Sequence, residues 1–192
     1  INTILRAAAG AWQRAPDSAK GWRSTWKPDM GHTPVLSYRG FDQADLIAEV
    51  TFRYGVMSEP WHTQCFRIAF DRRPEISGHI ISAWANRNNE FIEAGFLLQH
   101  ICKTPKKKVL EDLLLDYQSI VMQPLTWYTA VLDVGGDEAL FRMGDHIAYA
   151  KADQIRTSKN LVSLTFGKTW HEVSRVRIWK ASLNPDWQSK KP

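Results

Sequence analysis

The sequence predicts an all-β fold, an antiparallel sandwich. Three observations carry this. Apolar and polar residues alternate with a period of two over several stretches, as half-buried strands require. Clusters of Gly, Asp, Asn and Pro interrupt these stretches about every 8–15 residues, which suits a sandwich of short strands better than strands alternating with helices. No internal repeat of roughly 20–50 residues and no low-complexity linker divides the chain.

The elements follow in order. Residues 1–33 are rich in turn formers, Pro16, Asp17, Gly21, Pro28, Asp29 and Gly31 among them, and are expected to form an irregular arm wrapped on the sandwich. Residues 34–187 are expected to form the sandwich itself, and 188–192 a basic tail. Pro34–Tyr38 fits a short strand. Leu46, Ala48, Val50 and Phe52 alternate with Ile47, Glu49, Thr51 and Arg53, the pattern of a strand with one face buried. Cys65–Asp71, His79–Asn86 and Phe91–Ile101 read as three more strands, with Arg87-Asn88-Asn89 as the turn between the last two. Lys106–Tyr117 is ambiguous, because Val109, Leu110, Leu113 and Leu114 fit a helical face while Leu113–Met122 also fits a strand. The last third is clearest. Trp127–Val134, Glu138–Met143 and His146–Lys151 are joined by Gly135-Gly136-Asp137 and Gly144-Asp145, tight hairpin turns. Leu161–Phe166 and Ser174–Ala181 complete about ten to twelve strands.

Composition bounds the function. A chain of 192 residues suits one domain. Hydrophobic residues at 44% and charged residues at 23% exclude a disordered or collagen-like chain. No stretch approaches the roughly 18 apolar residues that a membrane-spanning helix needs. The net charge of +5 is mild, and Arg and Lys are not interleaved with aromatics at nucleic-acid-binding spacing, so no nucleic-acid partner is expected. The run Lys106-Lys107-Lys108 reads as a solvated loop. Cys65 and Cys102 lack metal-ligand spacing and CxxC pairing, which leaves a disulfide or two buried thiols open. Tryptophan is the unusual count, 9 residues. GxSxG, phosphate-loop and dinucleotide motifs are absent.

From Trp127 onward the sequence resembles a known group. The run Trp127–Val134, then Gly136-Asp137-Glu138-Ala139-Leu140-Phe141-Arg142-Met143, then Asp145-His146-Ile147-Ala148-Tyr149, with Val176-Arg177-Ile178-Trp179 near the end, resembles laminin-G-like and concanavalin-like jelly rolls. More narrowly, it resembles the 3-keto-disaccharide hydrolase domain family. The resemblance is good over about 113–187, loose over 28–101 and fails for 1–27. It implies a jelly roll and action on a sugar oxidised at C3. There the keto group acidifies the C2 hydrogen, a base removes it, and the C1 oxygen leaves. Such chemistry needs a base and an electrophile at the keto oxygen, a role a divalent metal could fill. It also implies a carbohydrate partner and a periplasmic or extracellular location.

Candidate site residues are chosen within that frame. His62 lies in the loop Glu59-Pro60-Trp61-His62, and loops over a sandwich often carry function. His79 begins a strand after Gly78, and Glu93 lies mid-strand. These three are the expected acid/base residues. Trp61, Trp84, Asn86 and Gln99 are the expected sugar contacts. If the strand faces coincide, Trp84, Asn86, Glu93 and Gln99 share one polar sheet face. The alternatives are a satisfied histidine at a sheet margin for His79 and His100, and an ordinary solvated face for the rest. No HxH or HxxxH pair marks a metal site locally. The first expectation is cleavage of 3-keto-glycosides. The alternative is a non-catalytic carbohydrate-binding or assembly module, for which the apolar segment Ile1–Ala11 would suit docking on a partner chain.

Overall fold

The computed structural model describes residues 4–9, 11–16, 21–27, 32–56, 66–87, 94–103 and 111–182. These residues form β1 (Ile4–Ala9), β2 (Ala11–Arg14), β3 (Trp22–Thr25), β4 (Val35–Gln43), β5 (Leu46–Tyr54), β6 (Phe66–Asp71) and β7 (Ser77–Arg87). They continue with β8 (Gly95–Lys103), β9 (Glu111–Ser119), β10 (Tyr128–Gly135), β11 (Glu138–Met143), β12 (His146–Lys151), β13 (Lys159–Phe166) and β14 (His171–Lys180). A first seven-stranded sheet runs β1-β4-β13-β6-β7-β8-β9, and a second runs β12-β11-β10-β5-β14-β3-β2. The expected antiparallel jelly-roll sandwich is what forms.

Alternation builds the core. Along β5, Leu46, Ala48, Val50, Phe52 and Tyr54 are buried while the residues between them are half-exposed. Phe66, Ile68 and Phe70 of β6, Ile81, Ala83 and Ala85 of β7, and Phe96 and Leu98 of β8 meet the second sheet in one hydrophobic core. Phe52 stacks on Phe66 at 4.0 Å between ring centroids, and Phe96 on Phe141 at 4.3 Å. Each such pair adds about 0.5–1.5 kcal/mol beyond the area it buries. Asp153–Arg156 forms a short 3-10 turn that carries Ile155 into this core.

The hairpins obey their turn residues. Gly135 pairs with Glu138 and Met143 with His146, so both loops have two residues. Gly136 (φ 60°) and Gly144 (φ 59°) take the first loop position with positive φ, as a type II′ turn requires. The Asp45 carboxylate accepts the Gly136 N–H at 2.8 Å, tying the first hairpin to the start of β5.

Residues 4–25, expected to be irregular, instead form strands at the margins of the two sheets where described. β1 pairs with β4 in the first sheet, and β2 and β3 extend the second sheet from β14. Trp12 of β2 meets Phe166 of β13 edge-on at 5.3 Å, which closes the sandwich on that side. The ambiguous segment resolves as strand β9. Opposite Trp12, Asp116 accepts the Tyr149 N–H at 2.8 Å and the Gln118 amide donates to the Ile147 carbonyl at 2.6 Å, joining β9 to β12 of the other sheet.

Candidate functional site

On the first sheet, the residues alternating with the core face outward. They include Arg67, Ala69 and Asp71 of β6, Ser82 and Trp84 of β7, and Leu97 and Gln99 of β8. Trp84 lies opposite Leu97, and Ser82 opposite Gln99, so Trp84 and Gln99 do share a face as the alternation predicts. Ser82, Leu97, Gln99 and Asp71 are nonetheless buried, although they sit outside the hydrophobic core. This face is therefore packed and specific, unlike an ordinary solvated sheet surface.

A continuous set of paired side chains crosses it. Arg67 donates to the Thr165 hydroxyl of β13 at 2.7 Å. Its guanidinium lies over the Trp84 ring, 4.8 Å from the centroid. The Arg87 guanidinium lies over the same ring at 4.4 Å and donates to the Gln99 side-chain carbonyl. The Gln99 amide in turn donates to the Asp112 carboxylate of β9. The series Thr165–Arg67–Trp84–Arg87–Gln99–Asp112 thus spans five adjacent strands. Each guanidinium–indole contact is worth about 0.5–2 kcal/mol, rising as water is excluded. The indole does not offer bare faces for sugar stacking as expected. It braces two planar cations. Its own N–H is buried without an acceptor among the described residues.

Asn86 does not follow the parity assumed for it. Its φ is 57°, in the left-handed region that Asn tolerates, and the register of β7 on β8 shifts between Trp84 and Arg87. The resulting bulge returns Arg87 to the Trp84 side, a placement that strict alternation forbids. Asn86 thereby positions Arg87.

His79 stands on the same strand, roughly 16 Å from Trp84 at the usual rise per residue. Its Nδ1–H donates to Asp71 Oδ1 at 2.7 Å, and the Ser163 hydroxyl donates to Asp71 Oδ2 at 3.1 Å. The His79 side chain is 15% exposed and that of Asp71 2%. The carboxylate fixes the ring and leaves Nε2 as the imidazole's other nitrogen. Just before His79, Gly78, with φ 103°, lets β7 run close against β8: a Cβ there would lie 2.1 Å from the Ile101 carbonyl oxygen. His79 and Trp84 are thus not brought into one pocket.

The other candidates divide simply. Trp61, His62 and Glu93 lie outside the described residues, as does Cys65, so the pairing of Cys65 with Cys102 lies outside them too. His100 is buried, with Nδ1 2.7 Å from the Ile80 carbonyl oxygen and Nε2 3.1 Å from Cys102 Sγ, the satisfied histidine that was its alternative. Among the described residues no three His, Cys, Asp or Glu side chains are grouped to hold a metal ion.

Sequence reasoning missed Arg67, Arg87, Asp112, Asp71 and Ser163. The surplus of tryptophan was the available signal. Four other described indoles pair with cations: Arg14 over Trp22 at 4.5 Å, Arg23 over Trp170 at 4.5 Å, Arg53 over Trp127 at 4.9 Å and Lys168 over Trp26 at 4.9 Å.

No family model matches the chain, and no curated protein matches it in sequence. Solved structures do. The carbohydrate binding module CBM66 from Bacillus subtilis matches with a TM-score of 0.57 at 9% identity, over 91% of this chain and 94% of that one. The exoplasmic/lumenal domain of VIP36 in its Ca2+/Man-bound form gives 0.59 at 7% identity, over 95% and 84%. CG-16, a homodimeric agglutinin from chicken liver, gives 0.52 at 7%, over 76% and 99%. At such identities the likeness is one of fold, and the fold is the concanavalin-like jelly-roll sandwich. None of these three is a 3-keto-disaccharide hydrolase, and that narrower kinship remains an expectation of the sequence.

Proposed function

We propose that this domain binds carbohydrate on the outer face of its first sheet, around Arg67, Trp84, Arg87, Gln99 and Asp112. The observation that carries this reading is the series of side chains locked to one another across β13, β6, β7, β8 and β9. Sugar hydroxyls both donate and accept. Guanidinium N–H groups supply donors, and the Asp112 carboxylate and Gln99 carbonyl supply acceptors. Because these groups already hold one another, little side-chain freedom is lost on binding. The match in fold to a carbohydrate binding module, an agglutinin and a mannose-bound lumenal domain supports a sugar as the ligand and an exported location. The Ca2+ of the VIP36 form makes a divalent ion worth including in the assay. The test is a glycan array followed by calorimetry on the best-bound glycan. Arg87→Ala should weaken that glycan about tenfold or more, since it removes a charged donor worth about 1.5–3 kcal/mol. A folded protein that binds no glycan would overturn the proposal.

A second reading, cleavage of 3-keto-glycosides, is favoured by one observation, the His79–Asp71–Ser163 arrangement. In this reading His79 Nε2 takes the C2 proton, Asp71 holds the ring, and the aglycone leaves from C1. Incubation with a 3-keto-glucoside, with and without chelator, should release aglycone, and His79→Ala should lower the rate about 100-fold or more. Release unchanged in His79→Ala would remove His79 from the reaction, and no release under any divalent ion would remove the reading. The distance from His79 to the Trp84 set supports the binding module over the enzyme, because a catalytic pocket gathers its base and its substrate contacts together.

A further inference from the structure

The second sheet carries a separate groove of about 370 Å³ on its outer face, lined by Ile47, Asp133, Gly135, Leu140, Tyr149 and Lys180 among others. The volume lies at the small end for ligand clefts. Register explains its floor. Ile47 of β5 pairs with Asp133 of β10, Asp133 with Leu140 of β11, and Leu140 with Tyr149 of β12. The four form one row across four strands, all alternating with core residues such as Ala48, Leu132, Phe141 and Ala148. Gly135, one outward step from Asp133, adds no side chain to the floor. Glu138 stands opposite Gly135 and lies 3.6 Å from the Lys151 ammonium.

Asp133 is the unusual member. Its carboxylate has no hydrogen bond or ion pair among the described residues. Burial pushes its pKa up; the charge of Arg142 works against this and that of Asp45 with it. A half-buried acceptor on an apolar floor is costly while unmatched and available to a ligand donor.

The mixture of signs narrows the ligand. Asp133 and Glu138 would repel an anion, and Lys180 at the mouth would repel a cation. A neutral ring bearing several hydroxyls suits both: it donates to Asp133, accepts from Lys180, exchanges hydrogen bonds with Ser182, and lays its C–H face on Ile47, Leu140 and the Tyr149 ring. We infer that this groove is a second carbohydrate subsite, on the sheet opposite the first, taking a single neutral sugar ring. The inference extends the carbohydrate reading and rests on it for the class of ligand. A domain with both subsites is bivalent and can hold two glycan branches at once.

The test follows backbone amides by NMR in the full chain during titration with the methyl glycosides of glucose, galactose, mannose and fructose. At least one should shift the amides of Gly135, Leu140 and Tyr149 with a dissociation constant on the order of millimolar, as one ring allows. Asp133→Ala should abolish those shifts, and so should Leu140→Lys, which puts a charge on the floor. The amides of Trp84 and Gln99 report on the first sheet independently. Shifts in both groups, or in the second-sheet group alone, support the inference, the latter while sinking the first-sheet proposal. Shifts confined to the first sheet overturn the inference and leave the first-sheet proposal standing. No shifts in either group overturn both.

Discussion

Glu172→Ala is expected to cost about 3 kcal/mol of folding stability, the lower end for breaking a buried ion pair. Glu172 of β14 is fully buried, on the outward side of the second sheet. Arg53 donates to one carboxylate oxygen at 2.5 Å, and Arg23 donates to the other. Arg23 lies over Trp170 and Arg53 over Trp127. Indole, guanidinium, carboxylate, guanidinium and indole thus follow one another across β3, β14 and β5. Each arginine side chain keeps 22% exposure, so after loss of Glu172 both can turn toward water, which holds the cost at the low end. Burial alone would raise the Glu172 carboxyl, but hydrogen bonds from Arg53 and Arg23, and then their charges, outweigh it and hold the pKa below the usual carboxylate range. The sign for pH follows. A depressed folded pKa gives stability that is full above the unfolded value, near 4.3, and is lost as pH falls through the folded value. Urea midpoints read by tryptophan fluorescence should therefore fall with acid in the wild type more than in Glu172→Ala. A loss under 1 kcal/mol at pH 7 would show that the pair does not hold β3 to β14.

A second large effect lies on the alkaline side. Lys159 of β13 is fully buried. Its ammonium donates to the carbonyl of Ala44 at 2.5 Å and to that of Ile155. Burial lowers its pKa to about 8, against a smaller opposite pull from Asp45. Below that value the folded and unfolded chains are both protonated, and the cost of burying the charge is fully present. Between about 8 and 10.4 the unfolded chain binds the proton that the folded chain has released, so stability rises with pH, by about 3 kcal/mol at most. A neutral amine retains two N–H donors, enough for both carbonyls. Tyr38 and Tyr54 oppose this trend at higher pH. Burial raises both pKa values, with Tyr128 adding to the rise at Tyr54, so their contribution is full below about 10 and is lost above it. Urea midpoints at pH 7.5 and 9.5 should thus rise in the wild type and stay level in Lys159→Met. An equal rise in both would place the effect elsewhere.

The fold was legible wherever one strand face is buried and the other is not. Leu46–Tyr54 and the β10–β12 meander could be read residue by residue, because their alternation and their Gly-Asp turns agree. β1–β3 could not. They are short, surrounded by turn formers, and strands only because β4 and β14 offer them partners. β9 was ambiguous for a different reason: Leu113, Leu114 and Leu115 run together where the register on β8 shifts between Leu98 and Gln99, and a bulge erases both the period of two and the period of 3.6. The candidate site divides in the same way. Parity placed Trp84 with Gln99, but it misplaced Asn86, whose left-handed backbone turns Arg87 onto the outward Trp84 side instead. Arg67 and Asp112 come from the flanking strands β6 and β9, and Thr165, which Arg67 meets, lies 98 residues further along the chain, so no local pattern joins them. Buried ions such as Glu172 and Lys159 leave no local trace, since their partners exist only after the sheets assemble.

The contacts of Asp116 and Gln118 with β12 have a consequence for how this chain meets others. A sheet edge carries rows of unused N–H and C=O groups that can template a foreign strand. Here the outward N–H of Tyr149 and the outward carbonyl of Ile147 are already taken by side chains of the neighbouring sheet. A strand arriving at β12 would have to displace both bonds before making its own. That flank is thus guarded against adventitious polymerisation.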